Sequence, residues 1–214
     1  MKTRILPLAA LAAVLSGCPL ENEASIQFYA VCFPPAPDTT TGACIYPDSC
    51  EAVALGTFWA DVDYLTQPGR SGMAEAPIEI RNQLPSNADE SIGRVNTNIA
   101  YIQQFRFEFV LPGSGATLPE EWVDANVTVP TSGSTVALVP VLPPATTALL
   151  SGLAGHLMVN VRAVGQYADE RYFETGPFKV PVDFCSGCYI APVCTTAVIA
   201  CPQEGQYAAY DCLQ

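Results

Sequence analysis

Two cysteines near the C-terminus are spaced for thiol chemistry. Cys185 and Cys188 frame a C-x-x-C motif, and Cys194 follows six residues after the second of them. A thiolate can attack a disulfide, bind a zinc ion or be consumed in a structural disulfide bond. The motif alone therefore leaves a redox centre, a metal site and a covalent crosslink open, and the compartment of the protein decides among them.

Two carboxylates and an indole ring form a second candidate site. Asp61 and Asp63 lie two residues apart beside Trp59, and the alternating pattern of residues 58–64 predicts a strand that carries them on its outward face. Their carboxyl groups would then be about 7 Å apart. Such a pair could bind calcium or act as the acid and base of a glycosidase, but a solvated strand face is the favoured interpretation.

Aromatic side chains offer a third route to function. Trp59, Trp122 and several of the nine tyrosines could form a platform on which a sugar or a peptide stacks. Such residues more often pack beneath loops. The aromatic residues alone therefore identify no ligand.

Sequence motifs of other common active sites do not occur in the chain. His156 is the only histidine, which excludes a multi-histidine metal centre and leaves little scope for a histidine-based hydrolase. There is no G-x-S-x-G, H-E-x-x-H or phosphate-loop motif. We therefore predict no catalytic residue, no metal and no cofactor, and the sequence favours a protein that is not an enzyme.

The elements that must position these residues are predicted to be β-strands. Turn-rich stretches separate segments in which apolar and polar residues alternate, and only residues 146–153 have a helical pattern. This predicts an all-β fold, an antiparallel β-sandwich over residues 25–184, in which Pro181 marks the last strand as an edge strand. The short helix resembles the crossing connection of immunoglobulin-like sandwiches. The alternating segments are 58–64, 78–81, 105–109, 123–129, 157–163 and 178–184.

The N-terminus has the features of an export signal. Lys2 and Arg4 precede an apolar run that is too short to span a membrane. The run ends in L-S-G-C, Leu15 to Cys18, which resembles the lipobox of bacterial lipoproteins. The resemblance covers only the signal and the anchor.

The lipobox resemblance implies how the protein is attached. Residues 1–17 would be removed as a signal peptide, the Cys18 thiol would carry palmitate or a similar acyl chain, and residues 18–24 would form a membrane-proximal spacer. Two or three acyl chains hold a protein on a bilayer almost irreversibly. Pro19, rather than aspartate, follows the lipidated cysteine, which favours the outer membrane of the cell envelope.

Charge restricts the partners of the exported chain. Loss of Lys2 and Arg4 with the signal leaves seven basic residues against 21 acidic ones, a net charge of about −14. Such a chain does not bind phosphate backbones, so nucleic acid is excluded. Anionic lipid would repel it as well, so the membrane contact is expected to come from the acyl anchor.

Export also changes the interpretation of the cysteines. Eight remain once Cys18 is lipidated, and an even number in an exported chain predicts four disulfide bonds without fixing their connectivity. Because three lie near the N-terminus and five near the C-terminus, full pairing requires at least one bond between the groups. We therefore predict that the cysteine-rich tail, residues 185–214, packs on the N-terminal cysteine loop. The disulfide candidates are Cys32, Cys44, Cys50, Cys185, Cys188, Cys194, Cys201 and Cys212.

Three functional hypotheses follow from the sequence. The leading one is a lipid-anchored, non-enzymatic module with a structural, recognition or adhesion role, whose partner is an envelope protein or a glycan. The alternative is an envelope carbohydrate-binding or hydrolytic domain that uses Trp59, Asp61 and Asp63. A thiol redox protein that uses Cys185 and Cys188 is less favoured, because such a motif belongs at a strand-to-helix junction.

Overall fold

β-Strands dominate the chain, as the period-two pattern predicts. The computed structural model describes residues 25–33, 47–50, 53–54, 56–112, 117–188 and 206–207. The strands are β1 (Ile26–Val31), β2 (Phe58–Asp61), β3 (Ala74–Asn82), β4 (Ala100–Val110), β5 (Glu121–Val129), β6 (Gly133–Leu142), β7 (Gly155–Tyr167), β8 (Tyr172–Glu174), β9 (Phe178–Cys185) and β10 (Gln206–Tyr207). The α-helices are α1 (Val62–Leu65) and α2 (Pro144–Leu150), and a 3-10 turn covers Glu90–Ile92.

The strands form two sheets, and the predicted β-sandwich is confirmed. A three-stranded sheet has the order β1-β3-β6, and a larger sheet has the order β10-β2-β9-β7-β4-β5, with β8 paired to β7. The pairs are antiparallel apart from β2 and β9, which run parallel. The antiparallel description is therefore correct for the body of the sandwich but not for this one ladder.

The core lies between the two sheets and is filled by alternate residues of their strands. Phe105, Phe107 and Phe109 of β4 are buried, and the rings of the last two lie 6.3 Å apart. Ile78 and Ile80 of β3 are buried as well. Since burial of one such side chain stabilises the fold by about 1.5–3 kcal/mol, the predicted inward faces supply the main driving force for folding.

Helix α2 carries the chain from one sheet to the other. It follows β6 of the small sheet and precedes β7 of the large sheet, which confirms the predicted short helix at this crossing. Glu121 of β5 stabilises its first turn, because Oε2 accepts hydrogen bonds from Thr146 N at 3.1 Å and Thr146 Oγ1 at 2.9 Å. Pro143 at the N-cap makes no side-chain cap hydrogen bond, so this distant carboxylate takes that role.

Two sequence predictions about strands are wrong. The strand predicted over residues 58–64 ends at Asp61, and the chain continues as helix α1. The segment around Pro181 is not an edge strand, because β9 lies between β2 and β7. Pro181 nevertheless avoids the parallel ladder, which begins at Val182, so its missing N–H interrupts no bond to β2.

Several predictions fall outside the part of the chain that the structure describes. They are the signal peptide over residues 1–17, the lipidated Cys18, the spacer over residues 18–24 and the contact of the tail with the N-terminal cysteine loop. Of the tail beyond Cys188, only β10 is described, and it pairs with the outer edge of β2. These assignments stay predictions.

Candidate functional site

Asp61 is a buried carboxylate rather than a member of a solvated strand face. Its side chain is 1 % exposed. Oδ1 accepts hydrogen bonds from the backbone N–H groups of Asp63 and Tyr64 at 3.1 Å and of Gly187 at 3.0 Å. Asp61 thus caps helix α1 and fixes the turn after β9. The predicted outward position is wrong because this cap ends the strand before the alternating pattern ends.

Asp63 joins three segments that are far apart in the sequence. Its Oδ1 accepts hydrogen bonds from Ser151 Oγ at 2.9 Å and Gly152 N at 3.0 Å, and its Oδ2 accepts one from Ser186 Oγ. These bonds, that of Ser186 first, lower the pKa of the Asp63 carboxyl below its ordinary value. The carboxylate therefore fastens α1 to the loop after α2 and to the turn after β9.

Trp59 does not complete a pocket with the two carboxylates. Its side chain is 46 % exposed and it lies opposite Asp183 of β9. Asp183 in turn lies opposite His156 of β7, whose Nδ1 is hydrogen-bonded to Asp183 Oδ1. The His156 side chain is 77 % exposed. The predicted trio of Trp59, Asp61 and Asp63 is thus divided between an exposed ring and two structural carboxylates.

The C-x-x-C motif lies directly against Asp61. Cys185 ends β9 and is disulfide-bonded to Cys188. A carboxylate oxygen of Asp61 and the two sulfur atoms all lie within 4.8 Å of one another. No local sequence pattern predicts this proximity, because more than a hundred residues separate the aspartate from the cysteines.

The described disulfides differ in how much they constrain the unfolded chain. Cys32–Cys50 has a sequence separation of 18, whereas Cys185–Cys188 has one of 3. In the chain-entropy model these loops correspond to about 3 and about 2 kcal/mol of stabilisation. Both bonds lie within their own cysteine group. The predicted bond between the groups would therefore join Cys44 to one of the remaining C-terminal cysteines, Cys194, Cys201 or Cys212. All four lie outside the described residues.

A cluster of aromatic and charged side chains covers the outer face of the large sheet. Arg106 of β4 lies directly opposite Trp122 of β5 and Arg162 of β7, and directly paired residues share a face. Tyr101 and Tyr172 both lie opposite Gln166 of β7, which puts them about 10 Å apart across two strand spacings. We call this surface the Arg106 face; it comprises Tyr101, Arg106, Glu108, Glu120, Trp122, Asn160, Arg162, Tyr172 and Glu174.

Ion pairs converge on Arg106 at the centre of this face. Its guanidinium lies 2.9 Å from Glu120 and 3.2 Å from both Glu108 and Glu174. The hydrogen bond from Arg106 lowers the pKa of Glu120, and the same bond raises the pKa of Arg106. Trp122 Nε1 donates to Glu120 Oε1 at 2.6 Å, so the indole ring is held in place beside the guanidinium.

The Arg106 face carries both exposed aromatic rings and polar atoms without partners. Trp122 is 47 % exposed, and Tyr101 and Tyr172 are exposed on the same face. In the described part of the chain, the buried side-chain atoms that lack a hydrogen-bond partner are Arg106 Nε, Arg162 Nε and Asn160 Oδ1. All three belong to this face. A buried polar atom without a partner costs about 1–3 kcal/mol, and such atoms are uncommon in folded proteins.

The aromatic platform suggested by the sequence is only partly formed. Trp59 and Trp122 share the outer face of the large sheet, but they lie on β2 and β5 with three strands between them. This corresponds to about 19 Å across the strands at the usual spacing. Trp59 is also level with His156 of β7 and Trp122 with Arg162, six residues further along that strand. The sequence analysis identified Trp122 but not its charged neighbours, because only the strand order brings Arg106 and Arg162 beside it.

None of the helices in the described residues is both long and apolar enough to cross a bilayer. No protein-family model and no curated protein matches this chain.

Proposed function

We propose that this chain is a lipid-anchored recognition module of the bacterial cell envelope, and that its Arg106 face binds a glycan. One observation carries the proposal: exposed rings of Tyr101, Trp122 and Tyr172 share one sheet face with buried polar atoms that have no partner. Exposed aromatic rings supply stacking surfaces, and unsatisfied polar atoms supply hydrogen-bonding capacity.

The chemistry of the face favours a sugar over a protein. The aromatic rings are separated by charged and amide groups, whereas protein-docking surfaces usually have a contiguous apolar patch. A hydroxyl group can accept a hydrogen bond from Arg106 or Arg162 Nε and donate one to Asn160 Oδ1. Because these atoms are buried in the unbound protein, the proposal requires the arginine side chains to move when the ligand binds. A sugar ring, with apolar faces and hydroxyl edges, has both features.

The other candidate site receives less support. A hydrolytic or sugar-binding site at Trp59, Asp61 and Asp63 needs carboxylates that reach a substrate. Asp61 is buried, and Asp63 is occupied by Ser151, Gly152 and Ser186. We therefore propose that the chain binds the glycan without hydrolysing it.

Binding of purified glycans tests the proposed ligand class. Chitotetraose, cellotetraose and mannotetraose are titrated against the exported chain by tryptophan fluorescence, and insoluble peptidoglycan is tested by co-sedimentation. We expect one of these glycans to bind and Trp122→Ala to weaken it by about tenfold or more, since loss of a stacking ring removes more than 1.4 kcal/mol.

Trp59→Ala is the matched control, because Trp59 is equally exposed on the same sheet but lies outside the Arg106 face. It should leave the affinity within about twofold. If Trp122→Ala and Trp59→Ala bind alike, or if the face captures an envelope protein and none of the glycans, the proposal of a glycan is wrong.

Acylation of Cys18 is the second part of the proposal, and L-S-G-C at residues 15–18 supports it. The acyl chains would tether an acidic, otherwise water-exposed sandwich to the envelope, with the outer membrane as the favoured location. Metabolic labelling with a palmitate analogue should mark the wild-type protein, and Cys18→Ala should abolish the label and release the protein from membranes. Undiminished labelling of Cys18→Ala would refute the anchor.

A further inference from the structure

The junction between β2, α1 and the end of β9 brings two sulfur atoms and a buried carboxylate together. Asp61 is buried, whereas neither Cys185 nor Cys188 is. Gly187, between the cysteines, donates its backbone N–H to Asp61 Oδ1 at 3.0 Å and has a φ of 67°. This left-handed conformation favours glycine and folds the C-x-x-C turn onto the carboxylate.

We propose that Cys185 and Cys188 form a thiol–disulfide exchange site. Asp61 is the carboxylate that carries a proton to and from the Cys185 thiol. The substrate class is a dithiol, or in the reverse direction a disulfide, of a small molecule or an exposed protein segment. This proposal is independent of the glycan proposal, because the Arg106 face shares no residue with the junction.

The short loop is the first argument for exchange rather than for a permanent crosslink. Cys185 and Cys188 are three positions apart, so their bond restricts the unfolded chain far less than Cys32–Cys50 does. The disulfide is also accessible, since it lies in a turn at the end of a strand rather than in the core. Accessible disulfides are the ones that take part in exchange.

The surroundings of the two sulfurs assign different roles to them. Cys185 Sγ lies 3.7 Å from the Ala60 carbonyl oxygen. A carbonyl oxygen accepts a hydrogen bond from a thiol and repels a thiolate, so it favours the protonated form of reduced Cys185. Cys188 is then the sulfur that forms the mixed disulfide, and Cys185 is the resolving thiol whose proton passes to and from Asp61.

Reduction proceeds in two exchanges. The thiolate of the incoming dithiol attacks Cys188, the bond between Cys188 and Cys185 breaks, and Cys185 leaves with the electron pair and takes a proton through Asp61. The second thiolate of the dithiol then attacks the sulfur through which the dithiol is bonded to Cys188. The Cys188 thiolate leaves and is protonated. The dithiol becomes a disulfide, and the C-x-x-C motif gains two electrons and the two protons that the dithiol has lost.

Partial reduction of the folded, full-length exported chain tests the site. Dithiothreitol is added under native conditions, free thiols are alkylated at intervals, and each cysteine is quantified by peptide mass spectrometry. We expect Cys185–Cys188 to open at least about tenfold faster than Cys32–Cys50. Asp61→Asn, which keeps Oδ1 as an acceptor, should slow this opening by about fivefold or more because it removes the proton carrier.

Asp124→Asn is the control, because Asp124 is an exposed carboxylate of β5 that lies outside the junction. Its effect on the opening rate should stay within about twofold. In Cys185→Ser, oxidised glutathione should accumulate as a stable mixed disulfide on Cys188, since the resolving thiol is absent.

Three outcomes would overturn the proposal. They are loss of both disulfides in one step that coincides with unfolding, equal opening rates for Asp61→Asn and Asp124→Asn, and no mixed disulfide in Cys185→Ser. If Asp61→Asn does not fold, the order of reduction in the wild-type chain and the mixed-disulfide trap decide the matter, because neither needs that variant.

Discussion

At the scale of single residues, three carboxylates of this chain bond to the backbone of segments that are distant in the sequence. Asp61 bonds to the turn at Gly187, Asp63 to the loop at Gly152, and Glu121 to the first turn of α2. In each case the carboxylate replaces hydration that the N–H groups lose on folding. The sequence identifies such residues as acidic, but it cannot identify their partners, which depend on the tertiary fold.

Asp63 gives a prediction about acid stability. Because hydrogen bonds lower the pKa of Asp63 from its ordinary value of 3.8, the ionised carboxylate stabilises the folded state above about pH 4 and loses this effect as the pH falls through the lowered pKa. Asp63→Asn should therefore lower the urea midpoint at pH 7, and the difference from wild type should shrink at pH 2.5. Asp124→Asn is the control, because Asp124 of β5 is an exposed aspartate that lies outside this junction. A difference of equal size at both pH values would contradict the prediction.

At the scale of elements, an irregularity in β4 is matched by a glycine in β7. The register of β4 shifts between Ile102 and Gln104 against both of its neighbours. Gly165 of β7 lies opposite this bulge, and a Cβ atom there would overlap the Tyr101 carbonyl oxygen and lie 2.9 Å from Ile102 Cα. The close approach of the two backbones thus requires a residue without a side chain.

Gly165→Ala should therefore be strongly destabilising. Backbone atoms of a central strand cannot move aside cheaply, so we expect a loss of about 3 kcal/mol or more in the free energy of unfolding. Gly155→Ala in the same strand is the control, since its Cβ would meet only the Phe184 ring, at 3.4 Å. Equilibrium urea denaturation measures both, and equal midpoints for the two variants would contradict the interpretation.

The sequence predicts the positions of many strands but not their arrangement. The alternation within residues 105–109 and 157–163 reports one buried face for each segment, and β4 and β7 confirm it. β6 was missed because several neighbouring residues near its end are buried, Val139 and Val141 among them, which removes the alternation. The Arg106 face depends on which strands are neighbours, and no local pattern contains that information.

At the scale of the whole molecule, the two described disulfides reduce the number of cysteines that could form the predicted bond between the N-terminal and C-terminal groups. Cys32–Cys50 and Cys185–Cys188 use two cysteines from each group. If all eight cysteines of the exported chain are paired, one partner of the remaining link must be Cys44. The parity rule alone had left three candidates at that end.

Peptide mapping of the non-reduced protein tests this link. We expect one peptide pair to join Cys44 to Cys194, Cys201 or Cys212, and the pair should separate when the sample is reduced. The mapping should also recover the Cys32–Cys50 pair, which serves as an internal control. A free Cys44 thiol, or its bond to another N-terminal cysteine, would contradict the prediction.

The parallel ladder between β2 and β9 restricts the order of folding, because β2 can pair only after β9 is present. Phe58 lies opposite Val182, so the two strands are about 120 positions apart, and contacts of such separation form late and slowly. Because the chain is made from its N-terminus, β2 emerges long before the strand that it must join. The junction that holds Asp61 against Cys185 therefore assembles only when most of the chain is available, which delays its chemistry until folding is almost finished.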